Sequence, residues 1–152
     1  MQRSDGWRIA ALAAAAVCAN VLAQPLPAGV ILFHPDKVQW FSTARGGGQW
    51  APIRGNPNHP GSYVYARKIP PRTITLAEVF PDARSYSVVS GTFYIGFGER
   101  YEEAGLLALP SGSYCVVPAG QPHFTATREQ AVLLQVSGVG RSVPKPVDPP
   151  AR

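Results

Sequence analysis

The chain has 152 residues, of which 45% are hydrophobic and 15% are charged. This is the size and composition of one domain with a packed core, and it excludes a charged disordered chain. The 15 glycines and 16 prolines exclude a long helical bundle, and a net charge of +5 without a basic run indicates no nucleic-acid partner.

Residues 1–23 are predicted to be a secretory signal peptide. Arg3 and Arg8 precede an apolar segment that ends with a small residue at Ala23, which is the usual order of charged region, apolar region and cleavage site. The apolar segment is shorter than the roughly 20 residues that a transmembrane helix needs, so no membrane span is expected. We therefore expect cleavage near Ala23 and a secreted or periplasmic protein. Attachment of a lipid at Cys18 stays an open alternative.

Residues 24–141 are predicted to be one all-β domain. Short segments rich in Val, Ile, Tyr, Phe and Thr alternate with turns that contain Gly, Pro and Asn. The predicted strands are 29–33, 38–41, 50–53, 63–69, 73–80, 86–89, 92–97, 114–117, 124–127 and 131–136, with a short helical turn within 102–107. So many short strands favour a sandwich or barrel and leave no room for βαβ units. Residues 142–152 are rich in proline and are predicted to be an extended, poorly packed tail.

The most specific motif of the sequence lies between Gly112 and His123. A predicted strand follows the turn at Gly112 and ends at Pro118, and Gly120 and His123 come two and five residues later. The spacing is therefore G-x5-P-x-G-x2-H. Upstream, Gly91 separates two predicted strands and closes a hairpin between them.

This arrangement resembles the two sequence motifs of the cupin superfamily. The second motif is complete through His123, and Gly91 matches the glycine that closes the first motif. The resemblance covers residues 63–139, and more loosely it extends to small exported single-domain cupins. It implies an all-β fold, a single-domain jelly-roll β-barrel with a ligand cavity.

The resemblance also implies where a metal would bind. In cupins, two histidines and a glutamate of the first motif bind a divalent metal together with the histidine of the second motif. Counted back from Gly91, the first-motif positions are Glu78, Phe80 and Arg84 here. Glu78 could supply an oxygen ligand, but Phe80 cannot bind a metal and the charge of Arg84 repels one. We therefore expect a degenerate metal site and no cofactor, with a divalent metal on Glu78 and His123 as the alternative.

Alternation along residues 74–80 has two interpretations. In the first, the even-numbered residues from Ile74 to Phe80 face the barrel interior, so that Glu78 is buried and needs a partner, for which Arg84 is the nearest cation. In the second, the register is shifted by one residue. The odd-numbered residues from Thr75 then face inward and Glu78 lies on the surface.

Three functions are compatible with these residues. The first is a metal-free module that binds a small molecule in the barrel cavity through Glu78, Phe80, Arg84 and His123. The second is an enzyme with an atypical metal held by Glu78 and His123. The third is a metal-free isomerase or lyase in which His123 and Glu78 act as acid and base. The sequence does not decide whether the protein is an enzyme, and it leaves a homodimer open.

Overall fold

The structure is a computed structural model that describes residues 25–43 and 47–147. The predicted signal peptide, Cys18 and residues 148–152 lie outside this range. Residues 25–30 belong to a separate unit and contain a turn in which Val30 N–H donates to the carbonyl of Pro27 over 3.2 Å. The β domain is described from Ile31 onward.

The described part of the domain consists of two antiparallel sheets. Their strands are β1 Phe41–Ser42, β2 Gln49–Arg54, β3 Ser62–Ile69, β4 Ile74–Val79, β5 Arg84–Ser90, β6 Thr92–Phe97, β7 Leu107–Pro110, β8 Tyr114–Val117, β9 His123–Ala126, β10 Val132–Val139 and β11 Lys145–Pro146. The first sheet has the order β1-β2-β3-β10-β5-β8, and the second has the order β11-β4-β9-β6-β7. The predicted single-domain all-β jelly-roll fold is therefore confirmed. Within residues 25–43 and 47–147, no helix has the length and apolar character needed to cross a membrane.

The strand predictions differ from the structure in three places. Of the predicted strand 38–41, only Phe41 lies in a strand, β1. The other two differences depend on pairing. Residues 29–33 form no strand, because strand-forming side chains need a neighbouring strand and a surface to cover, and Ile31 and Leu32 are instead exposed. Conversely, β7 was not predicted, since its sequence contains no β-branched residue; it forms by pairing with β6. The predicted helical turn is a short 3-10 helix, Glu103–Gly105.

Residues 142–147 of the predicted extended tail include exposed positions at Val143, Lys145 and Pro146, yet the segment is attached to the barrel. Ser142 is buried, and Lys145 and Pro146 of β11 pair with Val79 and Glu78 of β4. Proline is tolerated here because β11 is an edge strand, where a missing backbone donor breaks no ladder. Val147 N–H then donates to the carbonyl of Ala77 over 3.0 Å. The prolines of this segment are therefore compatible with an edge strand and do not indicate an unpaired tail.

The interior of the barrel changes from polar to apolar along three neighbouring strands. At one end of β3, β10 and β5, Tyr63, Gly138 and Arg84 lie side by side. At the other end of β3 and β10, Ile69 pairs with Val132. The buried apolar core consists of Ile69, Tyr86, Val88, Phe93, Ile95, Val117, Val132, Leu134 and Val136. The strand register thus separates a conventional hydrophobic core from a polar region that contains a buried arginine.

Candidate functional site

A cavity of about 510 Å³ is lined by residues from both sheets. Trp50, Tyr65 and Phe80 provide aromatic surfaces. Arg67 and Glu78 add charged groups to the same lining. The cavity therefore combines flat apolar walls with a few polar groups, which is typical of small-molecule sites.

A β-bulge in β4 determines which residues of that strand reach the cavity. Thr75 pairs with Thr125 and Glu78 pairs with His123, so β4 has one more residue than β9 between the two pairs. The extra residue reverses the alternation within the strand. Thr75 and Glu78 therefore both line the cavity.

The bulge decides between the two interpretations of residues 74–80. The first is wrong for Ile74 and Leu76, which are 51% and 69% exposed. The second is wrong for Glu78, which lines the cavity together with Phe80. The register with odd-numbered residues facing inward therefore holds before the bulge, at Thr75, and the register with even-numbered residues facing inward holds after it, at Glu78 and Phe80.

The second motif fixes the end of β4. Gly120 adopts a left-handed backbone conformation with φ of 73°, which glycine accepts without a steric cost. In this conformation its N–H donates to the carbonyl of Phe80 over 2.8 Å. The turn thereby anchors Phe80 next to His123, and the two rings are 5.6 Å apart between centroids.

Arg84 is the central polar residue of the site, with a relative exposure of only 3%. Its Nη2 donates to Ser142 Oγ over 2.7 Å and to Tyr63 Oη over 3.4 Å, and its Nη1 donates to Tyr86 Oη over 3.4 Å. The guanidinium carbon lies 3.4 Å from the centre of the Phe80 ring. Burial of a charge is unfavourable unless such hydrogen bonds and ring contacts compensate for lost water.

Both ring nitrogens of His123 are engaged. Nδ1 lies 3.1 Å from the carbonyl oxygen of Gln121, which can only accept, so Nδ1 is the donor. In the neutral ring, Nε2 is then an acceptor, and it lies 2.9 Å from the hydroxyl of Tyr86. The Tyr86 hydroxyl thus accepts a hydrogen bond from Arg84 and donates one to His123.

Burial keeps this chain of hydrogen bonds in one protonation state. Burial lowers the pKa of His123; the hydrogen bond to Gln121 opposes this effect, and the charge of Arg84 adds to it. Burial also raises the pKa of Tyr86 to about 12. His123 is therefore neutral and Tyr86 is protonated near neutral pH.

A second carboxylate lies behind the cavity wall. The hydroxyl of Tyr63 donates to Oδ2 of Asp82 over 2.5 Å, and burial, with this bond as a further cause, raises the pKa of Tyr63. Oδ1 of Asp82 is buried without a hydrogen-bond partner among the described residues. Gly138 makes room for the pair, since a Cβ there would lie 2.3 Å from Tyr63 Oη and 2.6 Å from Asp82 Oδ2. We refer to Tyr63, Asp82, Arg84, Tyr86, His123 and Ser142 as the polar cluster.

The structure brings three of the four predicted site residues to one wall. Glu78, Phe80 and Arg84 line the cavity. His123 does not line it; its buried ring contacts Phe80 and Tyr86 instead. The predicted ion pair between Glu78 and Arg84 stays a prediction.

Sequence reasoning missed several residues of the site. Tyr86 could have been found, because it lies two residues after Arg84 and so shares its face of β5. Arg67 and Trp50 could not, since their position depends on the register of β2 against β3. Ser142 reaches Arg84 across a long sequence separation, for which no local pattern exists.

The described residues do not fit a divalent metal. Within residues 25–43 and 47–147, no group of three or more His, Cys, Asp and Glu side chains could hold an ion. Tight sites for zinc or iron take three or four such donors. The one matching histidine, His123, has its Nε2 hydrogen-bonded to Tyr86, and the guanidinium of Arg84 stands beside Phe80 at the positions of two family ligands.

No protein-family model and no curated protein matches the chain. Solved structures do match. The polyketide cyclase RemF from Streptomyces resistomycificus is 14% identical, with a TM-score of 0.65 over 79% of this chain and 87% of that chain. An RmlC-like cupin from Shewanella frigidimarina is 12% identical, with a TM-score of 0.57 over 71% and 88%. The DMSP lyase DddQ from Ruegeria pomeroyi is 18% identical, with a TM-score of 0.59 over 76% and 64%.

These likenesses establish the architecture. The two antiparallel sheets, the cavity between them and the complete second motif define a cupin-type β-barrel. The chain therefore has the cupin fold. Because cupin-fold proteins include enzymes of different kinds as well as other proteins, the fold does not decide the activity.

Proposed function

We propose that the protein is an exported module that binds a small molecule in its barrel cavity without a metal. The observation that carries this proposal is the hydrogen bond between Tyr86 Oη and His123 Nε2. It occupies the nitrogen that a metal would need, and it is part of a buried network that holds Arg84 in the place of a metal cation. Export rests on the sequence of residues 1–23.

The cavity supports binding of a small molecule. Its volume of about 510 Å³ lies in the range of ligand sites, about 300 to 1,000 Å³. One part of its lining consists of Ser142, Val143 and Pro144, together with Pro57. The carbonyl of Pro57 accepts a hydrogen bond from Ser142 N–H over 2.7 Å. The C-terminal segment therefore lines the proposed binding site.

A metal-free enzyme is the second candidate. Glu78 presents a carboxylate to the cavity, where it could act as a general base. A polyketide cyclase and a DMSP lyase share the fold. If the protein is an enzyme of this kind, Glu78→Gln removes turnover and keeps binding, whereas a pure binding module shows no turnover with either protein.

The test of metal independence is elemental analysis of protein purified without a His tag. We expect far less than one equivalent of iron, manganese, nickel or zinc. Glu78→Ala and His123→Ala variants serve as matched samples. About one equivalent of metal in the parent protein, lost in both variants, would contradict the proposal and favour the metalloenzyme.

Export is tested separately, by mass analysis of the protein expressed in a host with a secretion system. We expect a product that begins near Gln24, recovered outside the cytoplasm. A cytoplasmic product with the full-length mass would contradict export but leave the binding proposal intact.

A further inference from the structure

We infer that the cavity selects small molecules that carry a carboxylate on a flat apolar body. The ligand class rests on the proposed function, because it has meaning only if the cavity binds a small molecule. Three features of the lining carry the inference: the positive charge of Arg67 and Arg84, the donor group of Arg67, and the three aromatic walls.

The first feature is an excess of positive charge. Arg67 and Arg84 both line the cavity, whereas Glu78 is the one carboxylate among the described lining residues. The hydrogen bonds of Arg84 lead to the uncharged hydroxyls of Tyr63, Tyr86 and Ser142, and the carboxylate of Asp82 lies behind them, bonded to Tyr63. An anion in the cavity therefore meets the two arginines directly, whereas Asp82 is behind the lining and offsets only part of their attraction.

The second feature is the donor group of Arg67. The Nε–H groups of Arg67 and Arg84 have no hydrogen-bond partner among the described residues, but both Nε atoms are fully covered, so a ligand in the cavity does not reach them. The two Nη groups of a guanidinium also form a pair of donors that matches the two oxygens of a carboxylate. Arg67 is the better placed of the two, because it is half-buried whereas Arg84 is bonded on both Nη atoms.

The third feature concerns the rest of the ligand. Trp50 and Tyr65 contact each other edge to face, with ring centroids 6.0 Å apart, and both line the cavity. Phe80 forms a further wall and is covered on one face by the guanidinium of Arg84. Flat aromatic surfaces favour a flat apolar group over a flexible polar chain. A carboxylate that meets Arg67 would thus leave its apolar body against Trp50 and Tyr65.

The test compares 1-naphthoate with 1-naphthalenemethanol, which have the same ring and differ in charge. Binding to the processed protein is measured by calorimetry at low ionic strength. A hydrogen bond to a charged group is worth enough for about a ten-fold preference, so we expect the acid to bind at least about ten-fold more tightly than the alcohol. Arg67→Gln should reduce this ratio, and Arg67→Lys should retain part of it.

Arg128→Gln is the matched control. Arg128 forms an exposed ion pair with Glu103, with 2.9 Å between Nη2 and Oε1, and it does not line the cavity. The variant loses the same charge from the protein, so it should keep the full preference for the acid. If it lowers the ratio as much as Arg67→Gln does, the preference reflects net charge and the inference fails.

The remaining outcomes separate the inference from the proposed function. Equal binding of acid and alcohol to the parent protein would support a small-molecule site and overturn the anion class. Binding of neither compound at millimolar concentration would overturn the inferred ligand class, while the proposed small-molecule site would still be open to ligands of another class. Both comparisons use the parent protein, so they stand even if Arg67→Gln does not fold.

Discussion

The two ends of the barrel interior both include residues of β3 and β5 but differ in chemistry. At the apolar end, Ile69, Val88, Phe93, Val132 and Leu134 fill space with side chains that have no polar atoms. At the other end, the polar cluster fills space with a guanidinium, hydroxyls, a carboxylate and an imidazole. The apolar end contributes stability through burial of apolar surface, and such a core tolerates exchanges between hydrophobic side chains of similar volume. The polar cluster depends on partners for each group, which makes it specific.

A core truncation at the apolar end should have the largest effect. Phe93 is fully buried and packs against Tyr86, with ring centroids 5.5 Å apart. We expect Phe93→Ala to lower the free energy of unfolding by about 3 to 5 kcal/mol, from lost burial and the cavity that remains. Denaturant unfolding followed by circular dichroism measures it. Leu107→Ala, at an exposed position, should change stability by less than about 0.5 kcal/mol. Equal effects of the two would show that the core does not carry the stability.

A single methyl group at the polar end should be nearly as damaging. Gly138→Ala places a Cβ against Tyr63 Oη and Asp82 Oδ2, so we expect a loss of about 1 to 3 kcal/mol in the free energy of unfolding. Thermal and denaturant unfolding measure this loss. Gly105→Ala is the control, because its Cβ would meet no atom closer than 3.8 Å.

Removal of the Tyr86 hydroxyl tests how much the hydrogen bonds of the polar cluster contribute to stability. Tyr86→Phe leaves the ring in the core but deprives His123 Nε2 of its donor and Arg84 Nη1 of an acceptor. We expect a loss of about 1 to 3 kcal/mol, the usual effect of leaving a buried polar group unpaired. Tyr114→Phe removes a hydroxyl that bonds Ser85 Oγ on the exposed face and should have little effect on unfolding. No difference between the variants would mean that the polar cluster contributes nothing to stability.

The smallest effect is a pH dependence that arises at the polar end alone. Burial lowers the pKa of His123 in the folded protein below its value of about 6.5 in the unfolded chain. The unfolded state therefore binds more protons as the pH falls below that value, so stability is full above it and declines on acidification. Unfolding between pH 8 and 5.5 measures the slope. His123→Gln should flatten the slope, and an unchanged slope in this variant would contradict the assignment to His123.

The sequence predicted the fold because the fold depends on short-range patterns. Turn glycines and prolines separated the strands, and the second motif was recognisable because its spacing is local: Gly120 takes the left-handed conformation that anchors Phe80. The register of β4 was only half predictable. An alternating pattern assumes a regular strand, and the bulge between Thr75 and Glu78 leaves no mark in the residue types.

The sequence by itself determined that the chain is an all-β barrel and that His123 opens a strand. These properties follow from neighbours in the chain, so alternation and turn chemistry reveal them. Only the tertiary structure decided that Tyr86 takes the free nitrogen of His123, that Ser142 binds Arg84, and that the proline-rich segment closes the cavity. These contacts join residues that are far apart in sequence, and their partners are selected by strand register and sheet closure rather than by local preference.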